Sequence, residues 1–223
     1  MNLNMSKDWV GNSNSVYKNL GASNHCDEDR EQNDYYATPP LATKCLLNVF
    51  EKYLDKNINV LEPSCGEGHI SKVFEDAGYN VVSRDLIDRG YGEPFRDFLN
   101  DVYTDGNFNI VTNPPYKFAK EFVEKSMDII NDGNYVIMLL KLTFLETTSR
   151  LEMFKKYPPK FIYVFSDRIN CAKNGNFDKE KENGGAVCYC WYIWQKGFNG
   201  KPTLDWIDTK NTVNNLTINK QLF

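Results

Sequence analysis

Ile58-Asn59-Val60-Leu61-Glu62-Pro63-Ser64-Cys65-Gly66-Glu67-Gly68-His69 decides how the rest of this chain reads. The apolar run Ile58 to Leu61 has the length and branching of a buried strand. Two glycines then permit a tight turn, and His69 to Ala77 has the pattern of a helix closed by Gly78. Working outward, the same alternation repeats. Tyr79 to Ser83 reads as a second strand and Phe108 to Thr112 as a third, ending at Asn113-Pro114-Pro115-Tyr116. Phe118 to Ile130 is helical, with Phe118, Phe122, Val123, Met127 and Ile130 on one face, and Tyr135 to Leu140 is a fully apolar strand. Upstream, Leu41 to Leu54 carries a helical period behind Pro39-Pro40. Strands that alternate with helices predict an α/β protein whose mostly parallel sheet is covered on both faces. Two later strands follow, the short Phe161 to Phe165 and the aromatic-rich Ala186 to Trp194, joined by a polar Gly- and Lys-rich loop at 170–185.

The 223 residues are 41% hydrophobic and 25% charged, which supports one folded domain rather than a disordered chain. A formal net charge of -4 excludes bulk electrostatic attraction to nucleic acid, so any such role needs a local basic surface. No run of about 18 apolar residues is present, and Met1 to Leu20 lacks an apolar signal core, so no membrane partner is expected and the chain reads as cytoplasmic. The six cysteines show no C-x-x-C spacing and only His25 and His69 accompany them, so buried thiols are expected and no metal site. Cys188 and Cys190 are expected on one face of the last strand. Residues 1–34, rich in Asn and Ser with six acids against three bases, are expected to form a disordered arm.

Three clusters carry chemistry. A glycine turn between strand and helix lets backbone approach a ligand at the carboxyl end of the strand, with Gly66 and Gly68 as contacts. Asp85, about 20 residues farther on at the end of the second strand, stands where such folds hydrogen-bond a ribose; Asp88 is close enough to compete for the role. Asn113-Pro114-Pro115-Tyr116 is the most specific feature. Its prolines stiffen the backbone and remove donors, leaving carbonyls and the Asn113 oxygen to accept from an amino or amide group, while Tyr116 offers a face for a flat conjugated system.

Glu62-Pro63-Ser64-Cys65-Gly66-Glu67-Gly68 followed by Asn113-Pro114-Pro115-Tyr116 resembles the signature pair of AdoMet-dependent DNA adenine-N6 methyltransferases, and in particular the short phage or prophage type. Tyr36-Ala37-Thr38-Pro39-Pro40 resembles that family's N-terminal cofactor motif, and Asp97-Phe98-Leu99 its acid-plus-Phe segment. The resemblance covers about residues 35–196. It implies the Rossmann-like class I methyltransferase fold, a seven-stranded sheet with an antiparallel late strand. It further implies S-adenosyl-L-methionine as cofactor, its methionine part near Thr38, Glu62 and Gly66, its ribose at Asp85 and its adenine near Leu86 and Phe98. Tyr36, Pro63, Ser64, Gly68 and Asp97 complete the implied cofactor set. The target adenine would be flipped onto Tyr116 and its amino group held by Asn113 and Pro114.

For the DNA partner, residues 141–173 carry seven Lys or Arg against three acids, a local balance of +4 in an acidic chain. Lys141, Arg150, Lys155, Lys156, Arg168 and Lys173 are the expected phosphate contacts, with Lys117 and Lys120 beside the catalytic turn. Residues 35–196 are expected to be the catalytic domain and 197–223 a tail too short for a recognition domain. Two rivals stand beside this reading. The same acceptors suit a protein glutamine amide or an RNA base amine, and a catalytically silent AdoMet- or DNA-binding module, such as an anti-restriction factor, would keep the fold without needing Asn113-Pro114-Pro115-Tyr116.

Overall fold

The computed structural model describes residues 35–173 and 187–213; the expected arm at 1–34, most of the 170–185 loop and the end of the tail lie outside the described residues. In chain order the elements are β1 (Tyr36–Ala37), α1 (Pro40–Phe50), β2 (Asn59–Glu62), α2 (Ser71–Asp76), β3 (Val81–Ser83), β4 (Phe108–Thr112), α3 (Ala119–Ile129) and β5 (Tyr135–Lys141). They continue with α4 (Leu151–Lys156), β6 (Phe161–Phe165), β7 (Ala172–Lys173), β8 (Tyr189–Gln195) and β9 (Thr203–Ile207). Boundaries shift where local bonds compete. Ile58 closes a turn by donating to the Asp55 carbonyl at 3.1 Å, so β2 begins at Asn59. Gly68 sits at φ +80°, outside helical space, and α2 starts only at Ser71.

Seven strands form one sheet in the order β3-β2-β4-β5-β8-β6-β9. β8 runs antiparallel to both neighbours and every other pairing is parallel, as the resemblance implies. The seventh strand is β9, from residues expected to be tail; it pairs with the whole of β6 and ends on the fully buried Ile207. The late strand starts at Tyr189, and Cys188 is exposed just before it instead of sharing a buried face with Cys190.

The sheet divides the core into two layers. Ile137, Leu139, Trp191 and Ile193 point to the face covered by α1 and α2, while Val136, Met138, Leu140, Tyr192 and Trp194 point to the face of α3 and α4. β5 and β8 are therefore apolar on both sides, which is why their runs show no alternation. Trp191 is buried and satisfies its indole N–H on the Ala42 carbonyl of α1 at 3.0 Å. From β2 the chain moves to β3 on one side and then crosses to β4 on the other. The carboxyl ends of β2 and β4 thus lie side by side at a topological switch point, and the glycine turn and Asn113 emerge there together.

Candidate active site at the switch point

The glycine turn is held from below by two carboxylates. Glu62, only 2% exposed at the end of β2, accepts from the Ser71 backbone N–H at 2.8 Å and from the Ser71 hydroxyl, which also meets the Ser83 hydroxyl at 2.6 Å. Burial pushes the Glu62 carboxyl well above its ordinary range, against the opposing pull of the Ser71 bonds. Asp85, 9% exposed, accepts the Gly66 N–H at 2.7 Å on one oxygen and the Ile87 N–H at 2.9 Å on the other. Two bonds leave that carboxylate with lone pairs for hydroxyl donors. Buried Cys65 between them has its thiol pushed up to about 12 by burial and by both acids.

Above the turn lie residues that sequence reading did not single out. A Cβ on Gly66 would stand 2.4 Å from the Tyr35 ring, and one on Gly68 2.4 Å from the Tyr91 ring. The Tyr35 hydroxyl accepts the Glu67 N–H at 3.3 Å, and the Arg89 guanidinium lies 4.0 Å from its ring centre. Both glycines are thus required by left-handed φ and by close aromatic cover. Only the adjacency of Tyr35 to the Thr-Pro-Pro motif and the Arg89-Gly90-Tyr91-Gly92 run hinted at this in the sequence.

Asn113 leaves the end of β4 with its amide fixed. Its Nδ2 donates to the Tyr36 carbonyl at 2.9 Å and to the Thr38 hydroxyl at 3.0 Å. Its Oδ1 and the Thr112 and Tyr116 hydroxyls are buried, and none makes a well-formed hydrogen bond among the described residues, although the Tyr116 hydroxyl lies close enough to the Asn113 and Tyr189 side chains to interact with them. Native interiors rarely leave such groups without well-formed bonds. Pro114 is buried and its carbonyl accepts no backbone N–H among the described residues, whereas the Pro115 carbonyl accepts from Phe118 at 2.9 Å. The partly exposed Tyr116 ring lies 6.0 Å from both Tyr36 and Tyr189, each tilted by about 30°, with the Lys141 ammonium 4.9 Å from its centre. Burial drives the Tyr116 hydroxyl pKa far up, so it stays neutral.

The structure brings Tyr36, Thr38, Glu62, Pro63, Ser64, Gly66, Gly68, Asp85 and Asn113 to Tyr116 to this end of the sheet. Leu86 stays beside Asp85 at this end and is 51% exposed, whereas Phe98 is 3% exposed and packed between Tyr103 and Phe122 in the α3-side core. Asp97 spends its oxygens on the Leu99 N–H and the Asn100 amide, closing a turn.

The basic residues do not form one surface. α4 runs back toward the amino ends of the strands, so Lys155 and Lys156 sit at the far end of the sheet from Asn113; Lys155 pairs with Glu152 at 2.8 Å and Lys156 faces Asp128, near the end of α3, at 4.0 Å. Arg150 turns inward and donates to the Phe144, Thr143 and Glu146 carbonyls, bracing the 142–150 turn. Arg168 donates to the Cys188 sulfur. Lys117 is exposed beside the catalytic turn, Lys141 lies over Tyr116, and the Lys173 backbone pairs with Tyr36. Among the described residues no cluster of His, Cys, Asp or Glu could hold a metal, and no helix is long and apolar enough to cross a membrane. An open groove lined by Leu47, Asn48, Lys52, Tyr163 and Asp205 lies past the other end of α1 and holds none of these site residues.

No family model matches the sequence, and no curated protein matches it. Solved structures do match in shape. A class I S-adenosylmethionine-dependent methyltransferase by its description, from Listeria monocytogenes, is 16% identical with a TM-score of 0.55, covering 91% of this chain and 75% of that one. The modification subunit of a type I restriction enzyme from Vibrio vulnificus YJ016 is 10% identical at 0.56, and the type I restriction-modification methyltransferase subunit from Streptococcus thermophilus is 12% identical at 0.54. Each of those two matches covers 86% of this chain, which spans only 54% of theirs. The chain has the Rossmann-like class I methyltransferase fold.

Proposed function

We propose that the protein transfers the methyl group of S-adenosyl-L-methionine to the exocyclic N6 amino group of adenine in DNA. The observation that carries this is the buried Asn113 Oδ1 at the switch point of this fold, with no well-formed hydrogen bond among the described residues, beside the ring of Tyr116 and the Pro114 carbonyl, which accepts no backbone N–H among them. Two acceptors on a stiff turn suit an –NH2 donor, because each would otherwise remain unpaired in a low-dielectric site.

The donor set fits the cofactor. Asp85 keeps acceptor capacity for ribose hydroxyls, and the glycine turn already packs against flat rings at Gly66 and Gly68. Glu62, Gly66 and Asp85 would hold its methionine and ribose parts. Bound there, S-adenosyl-L-methionine would supply an electrophilic sulfonium methyl for transfer to the amino nitrogen, with cleavage of its C–S bond and loss of one amino proton to solvent. The chain's own part is positional and electrostatic. Asn113 Oδ1 and the Pro114 carbonyl pull on the amino protons, which raises lone-pair density on nitrogen. Tyr116 stacks the flipped base, repaying unstacking of a few kcal/mol. Because Oδ1 is buried in this structure, base entry requires its surroundings to shift. Lys117 and Lys141, the cations beside the turn, would meet the flanking phosphates.

The modification-subunit neighbours named above support DNA over the rivals. The test is parallel incubation of methyl-labelled S-adenosyl-L-methionine with duplex DNA, RNA and cell-extract protein, followed by nucleoside analysis. Label is expected in DNA as N6-methyladenine; label only in RNA or protein would transfer the reading to those amines, and no label anywhere would favour a silent module.

A further inference from the structure

The Asn113 amide has two ends, and which end faces the substrate pocket decides whether it can accept. The Tyr36 carbonyl can only accept, so the group 2.9 Å from it must be Nδ2 and not Oδ1. The second Nδ2 proton goes to the Thr38 hydroxyl at 3.0 Å, and Thr38 is itself 3% exposed. Tyr36 opens the two-residue strand β1 and Thr38 follows it, and the pairing of β1 with β7 holds Tyr36 opposite Lys173 and Ala37 opposite Ala172. With both protons engaged, a 180° flip of the amide would set Oδ1 against the Tyr36 oxygen. Oδ1 is thereby left as the inward, unpaired acceptor.

We propose that Thr38 is a positioning residue for methyl transfer: with the Tyr36 carbonyl it locks the Asn113 amide so that Oδ1 faces the target amino group. This rests on the adenine-amine reading above and gives Thr38 a task distinct from holding the cofactor. The site's order also depends on the β1–β7 pairing, so the segment after β6 takes part in setting the acceptor.

Thr38→Val keeps the volume and removes the hydroxyl, while Thr38→Ser keeps the hydroxyl. The expected result is a kcat for N6-adenine methylation about tenfold lower in Thr38→Val, the effect of one lost hydrogen bond. S-adenosyl-L-methionine affinity, measured by calorimetric titration, should be unchanged, and Thr38→Ser should restore kcat. Wild-type kcat in Thr38→Val, or a loss expressed in cofactor affinity that serine does not rescue, would overturn it. A second readout needs no turnover. The Asn113 side-chain NH2 signals in a 15N-labelled protein, assigned by their disappearance in Asn113→Ala, should be protected from solvent exchange in the wild type and exposed in Thr38→Val. Equal exchange in the two proteins would refute the lock even if adenine proves not to be the substrate, while protected signals in a protein that methylates no adenine would support the lock and sink only the substrate.

Discussion

Glu62 reads in the sequence as a ligand residue at the mouth of a glycine turn, and the fold gives it a second task, receiving the start of α2 through Ser71. Its folded-state pKa is raised by burial, above the unfolded value. The carboxyl therefore contributes no penalty at acid pH below the unfolded value, and stability is lost as pH rises toward and through the folded value. Each pKa unit of separation is worth about 1.4 kcal/mol. Glu62→Gln can still accept from Ser71 without ionising, so its urea-unfolding stability should fall less between pH 5 and pH 8 than that of the wild type; parallel curves would contradict the assignment. That Gly66, Asp85 and Asn113 would gather at one end of the sheet was legible because their offsets follow the strand–turn–helix unit, and the resemblance added Glu62. What the sequence hid is who holds whom. Tyr35, Arg89 and Tyr91 arrive from segments with no period of their own, and Phe98 sits in the core because Phe122 and Tyr103 close around it.

Elements built on strong apolar periodicity came through: β4 and β6 match their expected limits, and β5 ends one residue later. Short or polar pieces did not. β1 and β7 are two residues each and exist only as partners of one another, and β9 shows four exposed residues, held by its parallel pairing with β6. The basic stretch is dispersed for a geometric reason, since a local charge count ignores that a helix following a strand returns to the opposite end of the sheet. That separation is measurable. Replacing Lys117 and Lys141 with Ala should reduce the slope of log affinity against log salt for DNA by about 0.9 for each phosphate contact removed. Replacing Lys155 and Lys156 should leave both slope and affinity as they were. The reverse ranking would place DNA on α4.

For the whole molecule, the net charge of -4 is an average over a chain whose described cations are spread over both ends of the sheet. With Lys155 and Lys156 at the far end, Arg150 bracing a turn and Arg168 bonded to Cys188, the cations that the described residues place beside Asn113 are Lys117 and Lys141. Modest sequence selectivity follows if this chain acts alone. The central claim is that an unpaired Asn113 oxygen accepts from the amine being methylated while the cofactor is held independently at the glycine turn. The most direct measurement is single-turnover methylation of adenine-containing DNA by the wild type and Asn113→Ala, with S-adenosyl-L-methionine affinity titrated in both. The expected result is a loss on the order of 10²-fold or more in methyl transfer with cofactor affinity retained. Near-normal transfer in Asn113→Ala, or a loss that tracks cofactor affinity, would contradict the account.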